Sequence, residues 1–218
     1  MITAFIIAIL STQTIGTIPG PAPFTIARVK YEGGGDWYAD PSSLPNLLQR
    51  VHNDLGIPVT KRETVVSLDE PELFHYPYLY LTGHGEIRFS DQDIKALRRY
   101  LISGGFLHAD DNYGMDTSFR REMNRLFPDR PLKRIGPDHV IFRIRHPFTK
   151  GLPKIHEHDG DPPEAYAIMN GQRIMVFYTV SCDLGDGWED KRVHNDPEDR
   201  REAALKMGVN IVAYALTH

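Results

Sequence analysis

The sequence predicts an α/β domain built on a mostly parallel sheet with helices on both faces. Two observations predict it. Apolar runs of strand length alternate along the chain with amphipathic segments of helical period, and glycines stand where those segments should stop, at Gly56 and Gly104. Strict alternation of the two element types distributes the helices over both faces of one sheet.

Each element has its own local warrant. Residues 24–30 alternate apolar and polar, as a half-buried strand should. A loop follows in which Gly33, Gly34 and Gly35 permit positive φ and let a ligand approach the backbone. Asp40 reads as a helix N-cap and Pro41 as the first helical residue, with Leu44, Leu47, Leu48, Val51 and Leu55 on the buried face. A second strand is expected near 59–66 and a third at 78–81, opening into Thr82-Gly83-His84-Gly85-Glu86. Ser90 and Asp93 form a capping box for a helix carrying Ile94, Leu97 and Leu101, which Gly104 stops. The fourth strand, 106–110, is expected to give way at Asp111 to a tight turn and a helix bearing Phe119, Met123 and Leu126. Residues 138–142 look like another strand. Residues 146–170, rich in Pro, Gly, His and Asp, read as a long irregular stretch, either a functional loop or a surface excursion. A buried strand at 173–178 and a final helix with Ala204, Leu205, Ile211, Val212 and Ala215 close the chain.

Composition narrows the function classes. The 218 residues suit one substantial domain, or at most two small ones. A net charge of -4 without a basic stripe argues against nucleic acid as a partner. The single cysteine, Cys182, excludes an internal disulfide and reads as a small buried hydrophobe. The apolar run at 1–10 resembles a secretory signal peptide, although it lacks a basic flank and an Ala-x-Ala site; a buried strand or an uncleaved anchor is the alternative. The expected division is a leader at 1–20 and one domain at 21–218. The mature chain is then exported, periplasmic or extracellular, with no transmembrane span.

If the strands are parallel, the loops at 33–40, 82–86, 110–114 and 182–188 leave one edge of the sheet and gather Asp36, His84, His108, Asp110, Asp111 and Asp183 around a crevice. His108 and Asp110, two apart on a strand, share a face, and Asp111 diverges. Asp111, Asp110 and His84 are the candidate catalytic groups. Asp36, Trp37, Gly83, Gly85 and Asn112 are the candidate ligand-binding surface, and His108 with Asp110 could ligate a divalent metal. The structural alternatives are that Asp111 or Asn112 caps the turn, Asp110 accepts backbone hydrogen bonds, His84 fixes its own loop, and the first-loop aromatics form a packed lid. His156-Glu157-His158-Asp159 resembles a metal clamp by composition and reads otherwise as a solvated polar run.

The blocks Tyr-Glu-Gly-Gly-Gly-Asp-Trp-Tyr-Ala-Asp-Pro at 31–41, Leu-Thr-Gly-His-Gly at 81–85, Gly-Gly-Phe-Leu-His-Ala-Asp-Asp at 104–111 and Gly-Val-Asn-Ile-Val-Ala-Tyr-Ala-Leu-Thr at 208–217 resemble the bacterial domain of unknown function 4159. That resemblance implies a flavodoxin-related fold similar to class I glutamine amidotransferases, often exported. It implies no settled activity. In amidotransferases the strand after the Gly-Gly stop ends in a nucleophilic cysteine on a sharp elbow; residues 110–112 contain no thiol, and Asp111 would be presented instead. The functional expectation is a pocket at the strand C-termini for a small polar ligand. It would serve hydrolysis of a sugar-like or cell-envelope molecule through aspartate or a metal. The alternative is a non-catalytic binding or interaction module on the same fold.

Overall fold

The computed structural model describes residues 22–156, 158 and 160–218. The leader expected at 1–20 lies outside the described residues, as do Glu157 and Asp159 of the polar run. In chain order the elements are β1 (Ala27–Lys30), α1 (Ser43–Leu55), β2 (Thr64–Ser67), β3 (Tyr78–His84), α2 (Asp91–Ile102), β4 (Phe106–Tyr113), α3 (Asp116–Leu126), β5 (Lys133–Arg134), β6 (Glu164–Asn170), β7 (Arg173–Val180), α4 (Leu184–Trp188), α5 (Lys191–His194) and α6 (Glu198–Thr217). The strands form one sheet in the order β2-β1-β3-β4-β7-β6-β5. The five strands from β2 to β7 are mutually parallel, and β6 runs antiparallel to both β7 and β5. The fold is therefore α/β with a mostly parallel sheet.

Alternation along the central strands builds a core on each face. Tyr78 and Tyr80 of β3 pack with Leu44, Leu47 and Val51 of α1 and Met207 and Ile211 of α6. Their neighbours Leu79 and Leu81 pack on the other side with Leu97 of α2 and Phe119 and Met123 of α3. Among the described residues no helix is long and apolar enough to cross a membrane.

Local signals hold where they are strong. Ser90 and Asp93 form the reciprocal capping box, and Gly56 closes α1 in the left-handed conformation at φ 68°. Three boundaries differ from expectation. Helix α1 begins at Ser43, and the side chain that accepts from its first N–H groups belongs to Glu189, whose Oε1 takes Ser42 N–H at 2.8 Å and Ser43 N–H at 3.0 Å. Strand β4 runs on through Asp111 and Asn112 to Tyr113, because neighbouring elements supply hydrogen-bond partners to these polar side chains inside the sheet. Residues 140–142 form a 3₁₀ turn in place of a strand, with His139 Nδ1 accepting from Ile141 N–H, and β5 and β6 rise from segments with no strand-like pattern.

Helices α1 and α6 are clamped at their exposed margin. Arg50 meets Glu202 with two nitrogens at 2.6 and 2.9 Å and Asp54 at 2.9 Å, and His146 joins Asp54 at 2.8 Å. Hydrogen bonding to Arg50 holds the Glu202 carboxyl down at about 2. A depressed acid contributes stability that is complete above its ordinary pKa and lost as pH falls through the folded value. The difference in melting temperature between wild type and Glu202→Gln should therefore be full at neutral pH and close between pH 4.5 and 2. Calorimetry at low ionic strength measures it, and parallel curves over that range would refute the clamp.

Candidate functional site

Because β1, β3, β4 and β7 are parallel, the loops after them leave one edge of the sheet, as open α/β sheets arrange their ligand sites. The loop after β1 is fixed from inside. Arg28, 2% exposed, donates to the carbonyl oxygens of Trp37, Ala39 and Asp40 at 2.6–3.2 Å. Asp40 adopts a left-handed conformation at φ 56°, and its Oδ2 accepts the Asn112 amide at 2.8 Å. Its expected role as the α1 cap is taken by Glu189, which leaves its carboxylate facing the sheet edge.

Asp110 anchors the opposite side. It has no exposed surface, and it accepts the Thr179 hydroxyl at 2.5 Å and Gly185 N–H at 2.7 Å. Burial pushes its carboxyl up to about 7. The Gly185 bond holds α4 against the strand ends. On α4 and its cap, Asp183 and Asp186 lie three apart and so share a side of the helical turn. A later loop is laid over them: Ile155, fully buried, donates its N–H to Cys182 O at 2.9 Å, which brings His156 and His158 down onto α4.

The result is a cluster of imidazoles and carboxylates. His156 Nδ1 stands 2.9 Å from Asp186 Oδ2, and His158 Nε2 stands 3.1 Å from Asp183 Oδ2. His156, His158, Asp183 and Asp186 each offer one ligand atom within 4.8 Å of the others, and Asp40, Asp186 and His194 do the same. The rings of Tyr113, His158 and His156 stack in a row at 4.9 Å spacings. Asp183 is 1% exposed, and neither of its oxygens accepts a hydrogen bond among the described residues. Burial, with Asp110, Asp186 and Asp111 nearby, pushes its carboxyl up to about 9, and burial with Asp186 raises Asp40 to about 6. A cleft of about 330 Å³ opens beside the cluster, lined by Asp111, Asn112, Tyr113, Lys154, His158 and Asp183 among others.

The structure separates the residues expected from sequence. Asp111 and Asn112 line this cleft. Asp111 is buried, accepts Met115 N–H and the Tyr178 hydroxyl, and has its carboxyl raised by burial. Asp110 lies beneath the cleft as the anchor described above. His108 does share a face with Asp110 but sits in the core, with Nδ1 on the Tyr78 hydroxyl and Nε2 on the Thr179 hydroxyl, both at 3.0 Å; burial lowers it to about 3. It belongs to neither metal-ligating group. His84 leaves the same sheet edge but pairs with Asp36, at 3.1 Å and through its own N–H, and stands outside the cleft. Gly83 has no room for a side chain beside the Tyr31 hydroxyl and Asp36; Gly85 has such room, and Trp37 packs edge-on against Tyr38. Cys182 is fully buried, and its thiol is raised by burial and by Asp110. His194 carries no sequence signal of its own. The His-x-His of 156–158 and the Asp-x-x-Asp of 183–186 were readable spacings, but nothing local joined them.

A family model described as a domain of unknown function (DUF4159) matches residues 25–216. The chain belongs to the DUF4159 family. Every residue of the cluster falls inside the matched span, so the site is part of the DUF4159 domain itself. No curated protein matches the chain.

Gly185 tests how tightly the DUF4159 site is built. A methyl group there would meet Asp40 Oδ2 at 2.7 Å and the fully buried Tyr80 hydroxyl at 2.8 Å. Gly185→Ala should destabilise the domain by about 1–3 kcal/mol, the usual range for overpacking. Urea denaturation measures this; an unchanged midpoint and slope would mean that the edge is looser than drawn.

Proposed function

We propose that the DUF4159 domain holds a divalent transition metal between His156, His158, Asp183 and Asp186, and uses it to hydrolyse a polar, sugar-like or cell-envelope ligand in the adjoining cleft. The observation that carries this reading is Asp183. A buried carboxylate is normally satisfied by several donors; here the His158 ring stands 3.1 Å from it, and a second imidazole and a second carboxylate converge beside them. Two ligands on one tetrahedral zinc, with bonds of about 2.0–2.1 Å, stand roughly 3.3 Å apart. The His156–Asp186 and His158–Asp183 separations of 2.9 and 3.1 Å are close to that. Mixed imidazole and carboxylate donors suit zinc, manganese, iron or cobalt better than magnesium or calcium.

A metal held by these four residues would supply Lewis acidity toward water, and Asp111, on the cleft wall, is the residue that would accept a proton. Lys154, whose Nζ donates to Asp161 O at 2.7 Å, places a positive charge where the attacked group develops negative charge. Tyr113, 53% exposed, offers an aromatic face to a sugar-like ring. Asp110 positions α4, and the Asp36–His84 pair latches the loops beside the cleft.

Two finer statements belong to the same proposal. The fold is of the class I glutamine amidotransferase-like, flavodoxin-related kind, a reading supported by the parallel strands β1, β3, β4 and β7 and by the site at their carboxyl ends. The mature protein works outside the cytoplasm, in the periplasm or beyond, a reading supported by the apolar run at 2–10. Glutaminase chemistry has no support, since Cys182 is sealed in the core.

Thermal unfolding after chelation tests the metal. Zinc or cobalt at a hundredfold excess over Kd should stabilise the wild type by about 2.7 kcal/mol. Asp183→Asn should keep its fold without metal and should lose the metal-induced rise. If no metal raises the wild-type melting temperature, the histidines merely pair with the carboxylates and the reading fails. Metal binding without turnover of nitrophenyl esters and glycosides would sink the hydrolase and favour the binding module.

A further inference from the structure

Asp186 faces two ways. Its Oδ2 is 2.9 Å from His156 Nδ1, and its Oδ1 is 3.7 Å from His194 Nε2, on α5. On that second side an Asp40 oxygen joins Asp186 and His194, all three ligand atoms lying within 4.8 Å of one another. A carboxylate with each oxygen directed at a different imidazole has the form of a bridge between two ions.

A second observation points to the same place. The Tyr80 hydroxyl has no exposed surface and no hydrogen-bond partner among the described residues. It converges with Asp40 Oδ2 on the bare Cα of Gly185, since a methyl built there would touch both within 2.8 Å. This buried hydroxyl therefore lies beside Asp40, one of the three residues of the second group. The charge balance leads the same way. Asp40, Asp110, Asp183 and Asp186 crowd this edge. Arg28 spends its donors on loop carbonyls and Glu63. One divalent ion would leave net negative charge on the three ligand carboxylates, Asp40, Asp183 and Asp186.

We propose that the centre takes two divalent cations, with Asp186 bridging them: His156, His158 and Asp183 complete one position, and Asp40 with His194 the other. This rests on the metal reading above and adds a second ion to it. Paired sites of this kind hold their ions about 3.5–4 Å apart and clamp both the attacking and the leaving oxygen of a displacement. The class of substrate that gains from such a clamp is an ester or phosphoester, whose leaving group departs as an oxyanion.

Cobalt stoichiometry decides the matter, measured by isothermal titration and by elemental analysis of the full chain after chelation and reloading. Wild type should bind two ions per chain. His194→Ala should bind one, and so should the size-conserving His194→Gln, with circular dichroism and metal-free melting temperature unchanged. His194 is a partly exposed residue at the end of a short helix, so the fold does not depend on it. One ion in wild type, unaltered in His194→Ala, would overturn the second position and leave the first intact. Two ions in His194→Ala would overturn the assignment of His194. No ion in wild type would remove both readings together.

Discussion

A carboxylate with no exposed surface has to be held by donors, protonated or paired with a cation. Asp110 is held by donors: a hydroxyl from β7 and the Gly185 N–H from α4. Those two bonds join the fourth strand, the seventh strand and the helix that follows it, and the rest of the edge is built from there. The far end of α4 then supplies Glu189 to the first turn of α1, while Trp188 fills the core and donates its indole N–H to Ala204 O in α6. A five-residue helix is too short to be stable alone. It exists because α1, α6 and β4 each grip it, and so Asp183 and Asp186 stand in fixed positions.

The elements whose signals are local were legible in the sequence. The Ser90–Asp93 box and the glycine at 56 act within a few residues, so nothing distant can override them. The sheet edge was legible too, because parallel topology follows from alternation and sends all the post-strand loops one way. The shared face of His108 and Asp110 follows from the period of a strand; that His108 lies under Trp188 and Tyr80 does not, because it depends on where α4 packs.

What the sequence hid was set by contacts between remote segments. Asp40 carries every local mark of an N-cap, yet Glu189, 147 residues beyond Ser42, satisfies the same N–H groups and leaves Asp40 in a left-handed turn facing the site. The run at 156–159 has no periodicity. Ile155 buries its side chain and bonds to Cys182 O, and His156 and His158 stand against Asp186 and Asp183 of α4 and its cap. The strand end at Asp111 was placed too early for the same reason: polar residues end a strand when water must satisfy them, and here Tyr178, Thr82 and Asp40 do so instead.

Asp110 and Asp183 make the contrast from which function is argued. They are the same residue, nearly equally buried, on the same edge of the sheet. Asp110 has its oxygens filled by the fold and therefore serves the fold. Asp183 accepts no well-formed hydrogen bond among the described residues; the His158 ring stands 3.1 Å from it, held there with His156 by a separate loop. Neutral packing at that position would be easier to stabilise, and proteins carry such unfavourable groups chiefly where activity needs them. The fold that the sequence resembles keeps its chemistry at the end of the fourth strand. In this chain Asp110 near the end of that strand is held by the fold, and the imidazole–carboxylate cluster stands beside it, at the turn between β7 and α4.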